Sequence, residues 1–371
     1  MMRKHSTILI FYLFVIFLYG CTSETEDLTT KKDVTIHELL TINEDLNKSP
    51  LFAFVFDAAS DSQKNVYFVD HSTQNIHSFD SDGSYRWSIG GRGQGPGEFQ
   101  FITSIYVDNE DRLFVYDSER AIITIFDNTG EIIDNRSFDF GRKTIENIRM
   151  APNNLLLLPY WDEGKLIHLY SLESGKIMSS LVDFSKILQS EDEIEEELFQ
   201  TNPGSAISLN ERLIAYVPNH YAGKLYLFEE TSSGSWQLIE VIEGYKHFDP
   251  SITFHVTNEG SHDRSHFSSY NSRGGGTYVH YEFHSMSFGL YPQADGSIIH
   301  LSYQAVGEEM YLVVENFDIE NNQLRFYSII DDLGIGFRAE TRPVWMDSKG
   351  LIYFADNTNV PELKLIRLDY D

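Results

Sequence analysis

When the sequence is shifted by 47 residues, one stretch matches itself without gaps, and this repeat constrains the fold more than any other feature. Residues 66–83 read VYFVDHSTQNIHSFDSDG, and residues 113–130 read LFVYDSERAIITIFDNTG. Asp70 meets Asp117, Ile76 meets Ile123, Phe79 meets Phe126, Asp80 meets Asp127 and Gly83 meets Gly130. Each unit opens with four apolar or aromatic residues, the pattern of a strand buried on both faces. A second strand follows and ends at Asp-x-x-Gly. The aspartate accepts local backbone N–H groups and the glycine tolerates positive φ, so this is a hairpin turn. A third strand comes next, at 84–89 in one unit and from Glu131 in the other.

A further copy lies near the C-terminus. VWMDSKGLIYFAD (344–356) aligns with IYVDNEDRLFVYD (105–117), pairing Asp108 with Asp347 and Asp117 with Asp356. The first aspartate of each pair closes an inner strand and the second closes the strand after it. Four strands in about 40–50 residues is the period of a propeller blade. Weaker copies fill the middle, at 155–170, 212–228 and 297–314, which brings the number of units to six. The last unit ends at Asp371 without an outer strand, and residues 34–42 precede the first unit with no other place to go. The chain is therefore expected to be all-β, a six-bladed β-propeller of four-stranded blades. Residues 34–42 close its ring as the outermost strand of blade six, which removes edges that invite aggregation.

Between the first two units stands GGRGQGPGEF (90–99), followed by a strand, then Val-Asp, Val-Tyr-Asp and Phe-Asp-x-x-Gly. This run resembles the NHL-like and TolB-like six-bladed β-propeller lipoproteins of Bacteroidetes-type bacteria. The resemblance covers 51–140 and 343–356 by motif and the middle by period. It implies the same fold but no activity, because propellers host unrelated functions. Read as chemistry, the glycine run lacks the Lys-Ser/Thr and the following helix of a phosphate loop. It is expected to make a tight crossing between blades, with Phe99 as a plug.

The N-terminus predicts an address. Arg3 and Lys4 lead an apolar run too short to span a bilayer comfortably, and the run stops at Leu18-Tyr19-Gly20-Cys21. The sequence there resembles a bacterial lipobox, which implies cleavage before Cys21 and acylation of its thiol. Cys21 is the chain's one cysteine. Residues 1–20 are thus a lipoprotein signal peptide, 21–33 the acylated cysteine and a flexible tether, and 34–371 the propeller. The expected location is the outer membrane, facing the periplasm or the cell surface. The lipid bilayer is then one partner, held through acylated Cys21. Glu24-Thr25-Glu26-Asp27 loosely resembles a surface-export tether, and reads equally as a solvated linker.

Composition narrows the remaining partners. Lys and Arg number 28 against 56 Asp and Glu, a net charge of −28, which excludes a nucleic-acid binder because phosphate needs a basic face. The lone cysteine excludes a disulfide framework and a cysteine zinc site. Residues 186–199 place Ile187, Ile194 and Leu198 at helical spacing among acids, a short amphipathic helix with a solvated face.

Residues 245–284 are too long for a simple blade connection and hold His247, His255, His262, His266, His280 and His284. Within this insertion His262, Asp263, Arg264, His266, Arg273, His280 and His284 are the candidate ligand-binding residues. Residues 277–283 alternate like a strand, which puts His280 and His284 on one face and makes metal ligation conceivable. Read structurally, the histidines are surface positions on a rim; read functionally, the insertion is a lid over one channel mouth. Residues 250–276, rich in Ser and Gly, are expected to be mobile.

No catalytic motif and no cofactor fingerprint occurs. The sequence therefore favours a non-catalytic binding or scaffolding module with an unknown protein or glycan partner. The rival is a hydrolase or lyase, metal-dependent or not, with residues delivered singly from several blades into the channel. A mixed or apolar axis supports the first, and a ring of inward carboxylates and histidines supports the second.

Overall fold

Turn chemistry sets the strand ends. Asp80 Oδ1 accepts the N–H groups of Asp82 and Ser84 at 3.2 and 2.9 Å, and Gly83 follows at φ 86°. Asp127 accepts from Thr129 and Glu131 at 2.8 and 3.0 Å in the equivalent turn. A side-chain oxygen thus caps donors that would otherwise need water, and glycine supplies the left-handed residue without strain. Between such turns the β-branched and aromatic runs extend, as their side chains pack best on a pleated surface.

The computed structural model describes residues 30–43, 50–138, 141–187, 203–246, 252–257, 268–274, 277–306, 309–330 and 341–371. The chain enters through β1 (Thr30–Lys31) and β2 (Val34–Ile42). Blade one is β3 (Val55–Ser60), β4 (Val66–Asp70), β5 (Asn75–Phe79) and β6 (Tyr85–Gly90). Blade two is β7 (Ile102–Val107), β8 (Leu113–Asp117), β9 (Ile122–Phe126) and β10 (Ile132–Ser137). Blade three is β11 (Arg149–Ala151), β12 (Leu155–Asp162), β13 (Lys165–Ser171) and β14 (Lys176–Asp183). Blade four is β15 (Ser205–Asn210), β16 (Leu213–Val217), β17 (Lys224–Glu230) and β18 (Trp236–Glu243).

The long insertion follows as β19 (Ile252–Thr257), β20 (Ser268–Gly274) and β21 (Thr277–Phe283), paired in the order β19-β21-β20. Blade five is β22 (Ser285–Pro292), β23 (Ile298–Val306), β24 (Glu309–Asp318) and β25 (Gln323–Ile330). Blade six takes β26 (Thr341–Met346), β27 (Leu351–Asp356) and β28 (Glu362–Tyr370) from the C-terminus. Strand β2 supplies its fourth strand, antiparallel to β28 with Val34 opposite Tyr370 and Ile42 opposite Leu363. The expected ring closure is therefore present. The chain is a six-bladed β-propeller.

The core is distributed around the ring, with one apolar cluster between each pair of adjacent blades among the described residues. Tyr67, Val69 and Ile76 of blade one pack with Ile105, Val115 and Phe126 of blade two. Blades six and one meet through Tyr353, Ala355 and Leu363 against Val55, Phe68 and Phe79. Each buried Val, Leu, Ile or Phe among them contributes about 1.5–3 kcal/mol by leaving water. Phe99 is buried in the cluster between blades one and two, as expected of the plug.

The aspartate that ends the second strand of blades one, two and six has a structural task. Asp70 accepts the N–H groups of Phe54 and Ser72, both at 3.1 Å, and Asp117 those of Gln100 and Phe101 at 2.7 and 3.2 Å. It thereby ties the incoming connection to its own blade, which is why the residue recurs. Blade three, without that aspartate, carries Pro159 and Tyr160 inside β12.

Two features extend the sequence-based picture. Residues 21–33, expected as tether, end in β1, which pairs parallel with β25 on the outer edge of blade five. Lys32 N donates to Tyr327 O at 2.9 Å and Lys32 Nζ stands 5.2 Å from the Phe326 ring. The edge of β25 offers open backbone groups, and the entering chain fills part of them. In the insertion, β19 and β20 fall where a loop was expected. Ile252, Phe254 and Val256 alternate with Thr253, His255 and Thr257, a period-2 pattern that suits a strand. The acidic helix expected over 186–199 lies outside the described residues beyond Ile187; a short 3₁₀ turn, Phe184–Lys186, precedes it.

Candidate functional site

In every blade the turn from first to second strand is short, as at 61–65, 108–112 and 211–212. The connections from one blade to the next are long and join strand ends on the opposite face: 91–101, 184–204 and 244–284 are three of them. A rigid ring that carries its long connections on one face concentrates variable chemistry there.

A cavity of about 220 Å³ opens on the ring axis near that face. Phe56 and Asp57 of β3, Thr103 of β7, Ser287 and Phe288 of β22, and Arg342 and Pro343 of β26 line it. Asn147, just before β11, and Asn219, after β16, complete the circle, so all six blades contribute. Glu146, Met286 and Val344 add to a lining of mixed polarity.

Asp57 is the electrostatic centre. Burial pushes its carboxyl up from 3.8 to about 6, against the opposing pull of the Ile105 N–H, Arg149, the Ala58 N–H and Arg342. The two backbone donors lie at 2.9 Å, Ile105 on Oδ2 and Ala58 on Oδ1. Arg149 is buried, donates to Ile148 O at 2.8 Å and sits 4.9 Å from the Trp345 ring and 5.8 Å from the Tyr106 ring. Arg342 donates to Phe56 O at 2.7 Å and lies 4.8 Å from its ring. Phe56 stacks on His71 with ring centroids 4.5 Å apart, and burial lowers the His71 pKa. Arg342 thus shares the cavity lining with Asp57 and Glu146, and the buried Arg149 guanidinium acts on Asp57 from outside that lining. Among the described residues no three His, Cys, Asp or Glu gather to hold a metal ion.

The residues nominated from sequence lie in the insertion, which leaves blade four and rejoins blade five on the same face. His262, Asp263, Arg264 and His266 lie outside the described residues, as does Cys21. Arg273 falls on β20 and His280 on β21, where His280 is in register with His255 on one side and Tyr270 on the other. His284 precedes β22, and its carbonyl accepts the Ala305 N–H at 2.8 Å. Asp57, Arg149 and Arg342 were missed. Asp57 left one trace, a carboxylate within the run Val55-Phe56-Asp57-Ala58-Ala59.

A family profile, DUF5128, described as "6-bladed beta-propeller", matches residues 58–162, from blade one into blade three. No curated protein matches the chain. A member of the DUF4221 family from Bacteroides vulgatus is similar in structure, with 10% identity, a TM-score of 0.56, and 92% of this chain and 100% of that chain covered. The RRP9 WD40 repeats give 8% identity, a TM-score of 0.53, and coverage of 91% and 100%. A candidate exported protein of Bacteroides fragilis gives 11%, 0.48, 91% and 95%. At such identities the first two likenesses speak to the fold alone.

Proposed function

We propose that this protein is an exported, lipid-anchored β-propeller that binds a small anionic ligand, a short carboxylate or the acidic sugar of a glycan, at the mouth of its central channel. The observation that carries the reading is Arg342 with Asp57 in the lining of a cavity to which all six blades contribute, and the buried Arg149 acting on the same carboxyl. The lining mixes Phe56, Phe288 and Val344 with polar groups, the arrangement that favours binding over catalysis by a ring of acids. A guanidinium forks onto a carboxylate with two parallel hydrogen bonds, and its confinement strengthens them. The lipobox at Leu18, Gly20 and Cys21 supports the anchor and the outer-membrane address. Among the described residues no helix is long and apolar enough to cross a membrane.

Two measurements test this reading. Calorimetry with glucuronate and with short dicarboxylates is expected to show binding to the wild type and at least a tenfold weakening in Arg342→Gln. Absence of any binding across that panel removes the channel from the proposal. Cys21→Ser is expected to abolish incorporation of a palmitate analogue and recovery with the outer membrane. Retention of both in the variant removes the anchor.

A further inference from the structure

Blade five holds a hydrogen-bonded chain that runs from the channel wall into its core. Ser287 stands on the channel-lining strand β22, His300 on β23 and Glu315 on β24. Ser287 Oγ lies 2.9 Å from His300 Nε2, and His300 Nδ1 lies 2.7 Å from Glu315 Oε2. Both His300 and Glu315 have side chains with 0% exposure, while Ser287 borders the cavity. One imidazole therefore links a hydroxyl at the cavity to a carboxylate shielded from water.

The surroundings fix the direction of the chain. Glu315 Oε1 also accepts from Tyr221 Oη at 2.8 Å and from Tyr245 N at 2.6 Å. Burying a carboxylate is costly unless donors replace its water, and Glu315 meets three donors here: Tyr221 Oη, Tyr245 N and His300 Nδ1. With Glu315 Oε2 as acceptor the proton sits on His300 Nδ1, which leaves the Nε2 lone pair facing Ser287. The Tyr221 ring packs 4.2 Å from the imidazole and restrains its tilt. Gly289 N donates to Ser287 Oγ at 3.2 Å, so the serine proton is directed to the histidine.

Histidines elsewhere in the ring show what packing alone produces. His77 and His168 use Nδ1 to meet Ser88 and Ser180 on the outer strands of blades one and three, at 2.6 and 2.8 Å. The other nitrogen of His168 meets Tyr160 O at 3.1 Å, and neither ring contacts a carboxylate in a hydrogen bond. Blade five reverses this polarity. Its serine is on the innermost strand and its histidine is backed by an acid.

We infer that Ser287 is a nucleophile, with His300 as its general base and Glu315 as the group that orients His300, and that the anionic channel ligand carries a small ester or comparable activated acyl group. The inference rests on the channel being the ligand site and adds a reaction to it. Ser287 Oγ attacks the carbonyl carbon while its proton passes to His300 Nε2. The carbonyl–oxygen bond to the alcohol breaks, the departing alkoxide takes that proton, and the acyl group stays on Ser287. Water then attacks the acyl-serine, releases the carboxylic acid and returns a proton to Oγ through His300. Arg342 and the carboxamide of Asn147 line the same cavity and supply donors for the negative oxygen that develops at each attack. A cavity of about 220 Å³ accommodates a short acyl group, not a long lipid chain.

The test is labelling of the full-length protein with a small alkyl fluorophosphonate, read by intact mass and peptide mapping. One adduct is expected, on Ser287, and Ser287→Ala is expected to remain unlabelled while still folded by circular dichroism. His300→Gln should slow labelling by roughly 100-fold or more. Glu315→Gln should change the pH profile of the labelling rate, which a purely structural carboxylate would leave unaltered once folding is verified by circular dichroism. A folded wild type that stays unlabelled, or an adduct that persists in Ser287→Ala, overturns the assignment. Glucuronate binding that is lost in Arg342→Gln, measured on the same unlabelled protein, would leave the channel as ligand site while the acylation fails. Absence of both would remove the two together.

Discussion

Asp57 shows how one residue couples stability to ligand capture. Its folded carboxyl titrates at about 6 against an ordinary 3.8, because burial outweighs two N–H donors and two guanidiniums. The fold therefore prefers the protonated form. That preference is fully expressed below about pH 3.8 and is lost as pH rises through about 6, by up to about 3 kcal/mol. His77 and His168 act in the opposite sense over an overlapping window. Burial holds both near 4, so their contribution is present above 6.5 and falls away as pH drops through 4. A raw stability profile thus mixes opposing slopes, and the informative quantity is the difference between wild type and Asp57→Asn. Urea unfolding should show the variant to be more stable than wild type at pH 7.5 by about 1–3 kcal/mol, with the gap closing by pH 4. Ionised Asp57 also competes with a bound anion for Arg342. Glucuronate affinity should accordingly weaken as pH rises through about 6 in wild type and stay flat in Asp57→Asn.

Among the elements, the glycine-rich crossing between blades one and two was legible in sequence as a turn with a plug. Its tolerance was not, because that depends on what the neighbouring blade presents. Gly90 has φ 106°, and a Cβ there would stand 2.6 Å from Gln74 O and 3.2 Å from Phe99 Cδ2. Gly141, at φ 77°, has nothing within 4 Å of the same position. Both substitutions to alanine carry the backbone strain of positive φ, but Gly90→Ala adds a clash with a carbonyl and with the interblade plug. Gly90→Ala should cost about 2–4 kcal/mol and Gly141→Ala about 1 kcal/mol, read as shifts in urea midpoint at constant slope. Equal effects would mean that the crossing relaxes freely around its new methyl group. The second-strand aspartates belong to the same scale. The repeat revealed Asp70 and Asp117 as equivalent, and the structure explains them through their bonds to the preceding connection.

For the whole molecule, stability depends on a closed circle of interblade clusters. Strand β2 serves two of them: Val34 and Ile36 pack in the cluster between blades five and six, and Ile42 in the one between blades six and one. Its neighbour β1 also reaches the edge of blade five, so the entering chain clasps two blades. Deleting 34–42 leaves β28 with an unpaired edge and opens both clusters to water. The melting temperature should fall by at least about 10 °C, with aggregation by light scattering. An unaltered melting curve would show that the ring closes without β2.

The sequence by itself determined the blade strands, the turns, the number of blades and the closing segment, but not β1, β19 or β20. Each of these follows from short-range rules: apolar runs, Asp-x-x-Gly turns and a missing outer strand, all written within one repeat. The channel was decided only by tertiary structure. Asp57, Arg149, Ser287 and Arg342 lie in different blades, and no local spacing relates them. Closing the ring brings their strands around one axis, and confinement there gives Asp57 its raised pKa. The links from Ser287 through His300 to Glu315 likewise depend on strand register, Leu290 opposite His300 and His300 opposite Glu315. Register is fixed by the summed packing of a blade face, so a single residue's neighbours in sequence do not encode it.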